Sequence, residues 1–360
     1  MKILFISRLR YLPQAGPTYS VPSQISSLSE IEDVLWVNIE QTPCREWEDL
    51  PFYMGAKNSV SLHELPGGFS RPDLVVFQCF YHFRPCRIIS DIRRNKTPYI
   101  IIPRSALTAK AQEKSRFKKV LGNALFYKGF AKDTLAIQYL TKQELLDSGD
   151  DWGPNSVIIP NGISRQKAIK QEFRSDGRRI LFIGRYEPYQ KGLDVLVEAI
   201  KAAGGALRES GTTIILYGSD KLGSAEEIRA WIMQAGIDDI VQMEGAAFGE
   251  AKHAALLDAD CFIMTSRYEG LPMGLLEALS YGLPCVVTPG TNMASEIECA
   301  GAGWACGCDA ASVSKALVAF TEADDLVTRS ASALKLAARY EWAAIAKRSA
   351  ELYCELLKTR

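Results

Sequence analysis

RRILFIGRYEPYQKGLDVLVEAI, residues 178–200, contains a whole strand–loop–helix unit. Ile180 to Ile183 is apolar without alternation, as a strand buried on both faces reads. Gly184 closes the run and Arg185 leaves it at once. Lys191 and Gly192 then precede a segment whose apolar positions, Leu193, Val195, Leu196, Ala199 and Ile200, recur at helical spacing. Two cations thus stand at the mouth of the unit. An Arg fork and a Lys point charge are the usual means of holding a diphosphate and of neutralising charge that grows on it.

The same alternation extends along the chain. KILFIS, DVLWVNI, DLVVFQ, YIIIP, LAIQYL and SVIIP punctuate the first half, and RILFIG, TTIILYG, DIVQMEG, ADCFIMT and LPCVVT the second. Continuous apolar strands separated by helical periodicity predict parallel sheets covered on both faces, hence an α/β fold of two Rossmann-like, doubly wound domains. The polar stretch RQKAIKQEFRSDGRR, 165–179, is the expected seam. The expected domains are residues 1–165 and 175–340. Ligands of open α/β sheets collect beyond the carboxyl ends of the strands, so a central cleft between the domains is the expected site.

Composition narrows the class. The chain has 360 residues, and 42 basic residues balance 42 acidic ones, so no global field favours nucleic acid. The apolar run of MKILFISRLR is too short for a signal peptide, and no stretch approaches the ~18 apolar residues of a membrane span, so a cytoplasmic location is expected. Nine scattered cysteines read as buried reduced thiols. Cys306-x-Cys308 has no second Cys/His pair at ligand spacing, and the three histidines are far apart. No metal is expected.

SRYEGLPMGLLEALSYGLP, residues 266–284, sets Glu269 and Glu277 on either side of a turn and a helix start. Pro272 falls near the first helical turn and Gly282 at the stop. The amides from Gly270 to Gly274 are therefore expected to be open, and a helix amino terminus suits a phosphate or a sugar oxygen. Eight helical steps would separate the glutamates by ~12 Å, whereas a retaining glycosidase pair needs roughly 5 Å. The two read as clamps at opposite ends of an elongated ligand.

Together these stretches resemble the retaining glycosyltransferases of family 4, which have the GT-B fold. The resemblance rests on FIGRYEPYQKGLDVLVEA, on LYGSD at 216–220, on the run from Met243 to Pro289 and on IPNGI at 159–163. It covers nearly the whole chain. It implies transfer of a sugar from a sugar nucleotide with retention of configuration, in polysaccharide biosynthesis, without a metal. By position it places Glu277 on the ribose hydroxyls and Glu269 beside the donor sugar. Gly270, Leu271, Pro272 and Met273 match the turn around sugar and diphosphate, and Arg185 and Lys191 the diphosphate pair. Gly184 belongs to the same strand exit. Gly218, Met243 and Glu244 lie where the family holds the base through backbone. Gly16, in YLPQAGPTYSVPSQISSL, matches the glycine-rich loop of the first domain.

The sugar nucleotide is a substrate, with a UDP- or GDP-sugar expected, and no cofactor is implied. The first domain would take the acceptor, a glycan or polyprenyl-linked glycan. The segment RYEWAAIAKRSAELYCELLK resembles the family's final segment, which implies that helix 343–360 packs back on the first domain. PYIIIPRSALT departs from the commoner pattern: Arg104 stands where many members carry a histidine, and Ser105 replaces the glycine of the branch that has Pro-Arg-Gly. Arg104 and His82 are the candidate contacts to donor sugar or acceptor. Residues 110–132 hold seven cations against Glu113, with Phe117, Val120, Leu121, Ala124 and Leu125 at helical spacing. Such a stripe faces either the core or a membrane surface. A GT-B epimerase and a catalytically silent partner of a transferase stay open as alternatives.

Overall fold

The computed structural model describes residues 1–12, 16–40, 45–83, 85–113, 116–149, 151–220 and 223–359. The chain divides into two compact units, Met1–Gly162 with Trp342–Arg360, and Ile163–Glu341. Among the described residues each unit has one parallel sheet flanked by helices.

In the first unit the strands are β1 (Lys2–Ser7), β2 (Asp33–Asn38), β3 (Tyr53–Gly55), β4 (Leu74–Gln78), β5 (Tyr99–Ile102), β6 (Ala136–Tyr139) and β7 (Ser156–Ile158), in the order β3-β2-β1-β4-β5-β6-β7. The second contains β8 (Arg179–Arg185), β9 (Thr213–Ser219), β10 (Val241–Glu244), β11 (Cys261–Met264), β12 (Cys285–Val287) and β13 (Gly303–Ala305), ordered β10-β9-β8-β11-β12-β13. Both orders reverse direction once, at β1/β4 and at β8/β11. The connections leaving the two central strands therefore depart to opposite sides and leave a crevice.

Burial explains why these runs are strands. Every residue of LVVFQ in β4 and of CFIM in β11 is buried, so both faces are packed and no polar side chain alternates out. The short strands β3 and β13, with three residues each, sit at sheet edges and carry no such run, so the sequence pattern does not announce them. Helix Leu193–Glu209 buries Leu193, Leu196, Val197, Ile200 and Leu207 at its inward stripe. Each such side chain contributes about 1.5–3 kcal/mol relative to exposure. An aspartate at Ile200 would put an unpaired charge into that core and break it.

The expected seam needs correction. The unit boundary falls after Gly162, and 163–179 is fastened to the second unit rather than spanning between cores. Asp260, fully buried, accepts from Arg174 Nη1 at 2.8 Å and from the Arg179 amide at 2.9 Å, and its other oxygen lies 3.0 Å from Lys170 Nζ. Buried Arg178 donates to the carbonyls of Phe320 at 2.6 Å and Ala323 at 2.7 Å. The charges that look like a solvated linker are the partners of a buried carboxylate and of a helix carboxyl end.

Helix Trp342–Lys358 packs against helix Gly16–Ser29 in the first unit and buries Ile345, Ala346 and Tyr353. Tyr353 Oη donates to Gln138 Oε1 at 2.8 Å. Of the cysteines, Cys79, Cys261 and Cys285 are buried, but Cys299 and Cys308 are exposed; Cys44 lies outside the described residues. No helix among the described residues is long and apolar enough to cross a membrane.

Candidate functional site

Strand order brings the exits of β8 and β11 side by side in the second unit. The exit of β8 makes one helical turn, Pro188–Lys191, and turns at Gly192, whose φ of 60° is left-handed. An added Cβ there would run into the Thr265 carbonyl oxygen, so both conformation and space call for glycine. Thr265 Oγ1, just past β11, donates to the carbonyls of Lys191 and Gly192 at 3.0 Å each. One threonine thus pins the two exits together.

That junction fixes Lys191. Its Nζ donates to Glu269 Oε1 at 2.6 Å, and Ser266 Oγ donates to the same oxygen at 2.7 Å. The Lys191 and Glu269 side chains are each only 10% exposed. Two residues 78 positions apart, expected at neighbouring parts of a ligand, form one shielded ion pair. Asn292 Nδ2 donates to the Glu269 carbonyl at 2.7 Å and braces the loop from the next strand exit.

Arg267 was not singled out by sequence. Its guanidinium grips Asp194 through both nitrogens, at 2.7 and 2.6 Å, donates to the Tyr189 carbonyl at 2.8 Å and lies 4.6 Å over the Tyr189 ring. Burial is the largest single influence on Asp194 and raises its pKa, but the Arg267 hydrogen bonds, the Val195 amide and the Arg267 charge together outweigh it and hold the carboxyl below the usual range. An Arg directly after a strand exit and an Asp in the first turn of the next helix were the available signals. Gly290 lets the β12 exit come close, because a Cβ would strike the Ser266 and Arg267 backbone.

Arg185 is half-exposed and pairs with Glu187. Tyr186 donates to the Leu216 and Glu244 carbonyls at 2.7 Å each, tying the carboxyl ends of β9 and β10, and burial pushes its pKa up to about 12. Its ring occupies the space a Cβ at Gly218 would need, which is a packing reason for that glycine. Gly184 leaves room for the Phe182 ring. Met243 is half-buried and Glu244 exposed.

The helix after β11 runs Met273–Ser280, with Pro272 at its N-cap. One expectation is corrected here: the Met273 amide is not open, because it donates to the Leu271 carbonyl at 3.0 Å. The amides of Gly270, Leu271 and Gly274 have no hydrogen-bond partner among the described residues. Glu277, on the second turn, forms an ion pair with Lys252 of helix Gly249–Asp258. Lys252 was also missed; it lies in an otherwise ordinary amphipathic helix with nothing local to mark it.

In the first unit Gly16 opens helix Gly16–Ser29 and is exposed; residues 13–15 of its loop lie outside the described residues. Arg104 follows β5 with φ of 50°, and Ser105 with φ of 64°. Both are non-glycine residues in the left-handed region, an uncommon and strained pair. The Arg104 guanidinium donates to Gln78 Oε1 (3.0 Å), Ser20 Oγ (3.0 Å), Asn161 Oδ1 (3.2 Å) and Gln24 Oε1 (3.1 Å). All four acceptors are uncharged. Burial lowers the Arg104 pKa, with Cys79 and Glu144 opposing it. His82 lies exposed in the turn after β4 and shares none of these contacts.

The stripe at 117–125 does not face the core. Phe117 is 94% exposed, Leu125 77%, Leu121 62% and Val120 60%. The segment is also not one helix: Ala109–Glu113, Arg116–Gly122, a π turn Asn123–Tyr127 and Lys128–Lys132 follow one another. Lys114 and the Lys110 side chain lie outside the described residues.

The family model described as "Glycosyl transferases group 1" matches residues 164–348. The chain is 28% identical over 206 residues to a GDP-mannose:cellobiosyl-diphosphopolyprenol alpha-mannosyltransferase of Xanthomonas oryzae pv. oryzae, covering 56% of this chain and 53% of the relative. It is 32% identical over 143 residues to the putative colanic acid biosynthesis glycosyltransferase WcaL of Escherichia coli, covering 38% and 34%. The matched region thus spans about half, or less, of these relatives. Among solved structures, sucrose-phosphate synthase from Thermosynechococcus elongatus superposes over 100% of both chains with a TM-score of 0.70 at 14% identity, a likeness of fold alone.

Proposed function

The chain belongs to the glycosyl transferases group 1, and on that premise we propose that it moves a sugar from a nucleoside-diphosphate sugar, a UDP- or GDP-sugar, to a hydroxyl of a glycan or polyprenyl-linked glycan. The setting is cell-surface polysaccharide assembly at the cytoplasmic side, with the anomeric configuration retained. The relative named for GDP-mannose and a diphosphopolyprenol glycan supports trying that donor and that acceptor class first.

One observation carries the reading. The β8/β11 crevice joins a shielded Lys191–Glu269 pair to a helix start whose Gly270, Leu271 and Gly274 amides lack partners among the described residues. A diphosphate entering there meets open N–H donors and the positive end of a helix. Lys191 gains a second anion besides Glu269, and Arg185, half-exposed on its short exit, swings to the same phosphates from Glu187. As the glycosyl bond loosens, charge grows on the departing diphosphate, and these cations stabilise it more than they stabilise the bound substrate. Glu269, neutralised by Lys191, stays beside the donor sugar and accepts from its hydroxyls. Glu277 holds the ribose, handed over from Lys252. The acceptor hydroxyl attacks from the leaving-group face and passes its proton to a donor phosphate oxygen, so no protein base, metal or cofactor enters the scheme. In the first unit, Arg104 and His82 serve the acceptor, and Gly16 lets backbone approach it.

The test is incubation of the purified chain with UDP- and GDP-sugars, with and without a diphosphopolyprenol-linked glycan, following nucleoside diphosphate release and the anomer formed by NMR. Acceptor-dependent release with a retained anomer supports the proposal. A new free sugar nucleotide would mark an epimerase, and no release with any donor would mark a silent subunit.

A further inference from the structure

Large apolar side chains are exposed singly across most of this chain, as is normal for a folded protein. Residues 116–128 are different. Phe117, Val120, Leu121 and Leu125 recur at i, i+3, i+4 and i+8, and each is 60% exposed or more. They are not displaced core residues, because the inward side of the same segment is already filled. Phe126 stacks on buried Phe130 with centroids 5.4 Å apart, and Tyr127 Oη donates to the Phe83 carbonyl at 2.6 Å.

The charges around the stripe decide what covers it. Arg116, Lys118, Lys128 and Lys132 are exposed, and no acidic residue occurs from 116 to 132. Lys119 is turned inward, donating to the Ala111 carbonyl and lying 4.9 Å over the Tyr81 ring. The outward surface is thus apolar at its centre and cationic at its rim. A second copy of the chain would set one cationic rim against another and gain nothing for the charges. An anionic bilayer surface receives both parts at once: headgroups meet the cations, and the apolar side chains enter the headgroup–acyl boundary.

We propose that the 116–128 face docks the first unit on an anionic lipid surface, with Phe117, Val120, Leu121 and Leu125 inserted and Arg116, Lys118 and Lys128 on the phosphates. This rests on the reading of a lipid-linked acceptor and names the surface on which that acceptor is met. The segment lies in the interface, as it is too short and too charged to cross.

The test is co-sedimentation of the full chain with vesicles of phosphatidylcholine alone or with about a third phosphatidylglycerol, without sugar nucleotide. Partition is expected onto the anionic vesicles, weakened by salt. F117S/L125S should lower it by about tenfold or more, and K118E/K128E should lower it comparably; all four positions are exposed, and circular dichroism checks that the fold is kept. Equal binding to both vesicle types, no binding, or variants that bind like the parent would overturn the proposal. So would a sedimentation-velocity dimer that F117S/L125S dissolves, which would make the face a self-association surface. The outcomes separate from those of sugar transfer: a chain that docks but transfers nothing sinks only the functional reading, and one that transfers to a soluble acceptor without docking sinks only this one.

Discussion

The two units are built on the same doubly wound plan, yet they treat the cation at the crevice end of their sheets differently. In the second unit Lys191 is met by a carboxylate, Glu269, at 2.6 Å. In the first, Arg104 is met by four uncharged oxygens, from Gln78, Ser20, Asn161 and Gln24. A neutral set fixes the direction of a guanidinium without cancelling its charge, whereas a carboxylate cancels the charge and yields only to a stronger anion. The comparison teaches that fold places a cation at each crevice, while the partners decide whether its field reaches a ligand.

Breaking the pair in the second unit has the largest expected effect. Glu269→Ala leaves Lys191 shielded without its counter-charge, and the loss of stability should be about 3–5 kcal/mol, the range for one partner of a buried pair. Urea unfolding would measure it. The double change Lys191→Met with Glu269→Met should recover much of that loss while leaving no activity; a double variant as unstable as the single would show that the pair's charge is not the reason. Next, Arg185→Ala or Lys191→Ala should slow turnover by ~10²-fold or more, the size of losing one charge-stabilising donor. Unchanged rates in both would remove the cations from the chemistry.

Arg104→Met sharpens the other side of the comparison. Its four acceptors lose their donor, and the expected cost is roughly 1–3 kcal/mol, seen as a lower denaturation midpoint. If Arg104 carries an uncancelled charge toward a ligand, Arg104→Lys should restore stability incompletely and raise the KM for an anionic acceptor. An unaltered KM would reduce Arg104 to a structural role.

The smallest effect belongs to the Asp194–Arg267 pair, whose Asp194 side chain is 41% exposed and so stabilises by no more than about 1 kcal/mol. The folded Asp194 pKa is lowered, so this contribution is present above the ordinary Asp value of about 3.9 and is lost as pH falls through the lower folded value. Melting curves of the parent and Asp194→Asn should converge below that pH and differ above it. A constant difference across the range would remove the ion pair as its source.

Much of this was legible beforehand for a physical reason. A strand buried on both faces must be apolar throughout, so β1, β4, β5 and β11 announce themselves as runs; β3 and β13, three residues long at the sheet edges, do not. Arg185, Lys191, Glu269 and Glu277 stand out because charges beside strand exits and helix starts break local apolar patterns. Arg267, Lys252 and Tyr186 were missed because their importance comes from partners 25 to 78 residues away in sequence. The cations Lys170 and Arg174 misled for the same reason, since Asp260, which they neutralise, lies 86 or more residues downstream.

Local order alone therefore determined the α/β class, the pair of sheets and the placement of Arg185, Lys191 and Glu269 beside strand exits, because periodicity and turn residues act over a few positions. Only tertiary structure decided that Lys191 is already occupied by Glu269, that Arg104 is not matched by a carboxylate, and that the 117–125 stripe faces outward. Each of these depends on what lies across space from a side chain, and a charge or an apolar surface has no energetic meaning until its surroundings are set.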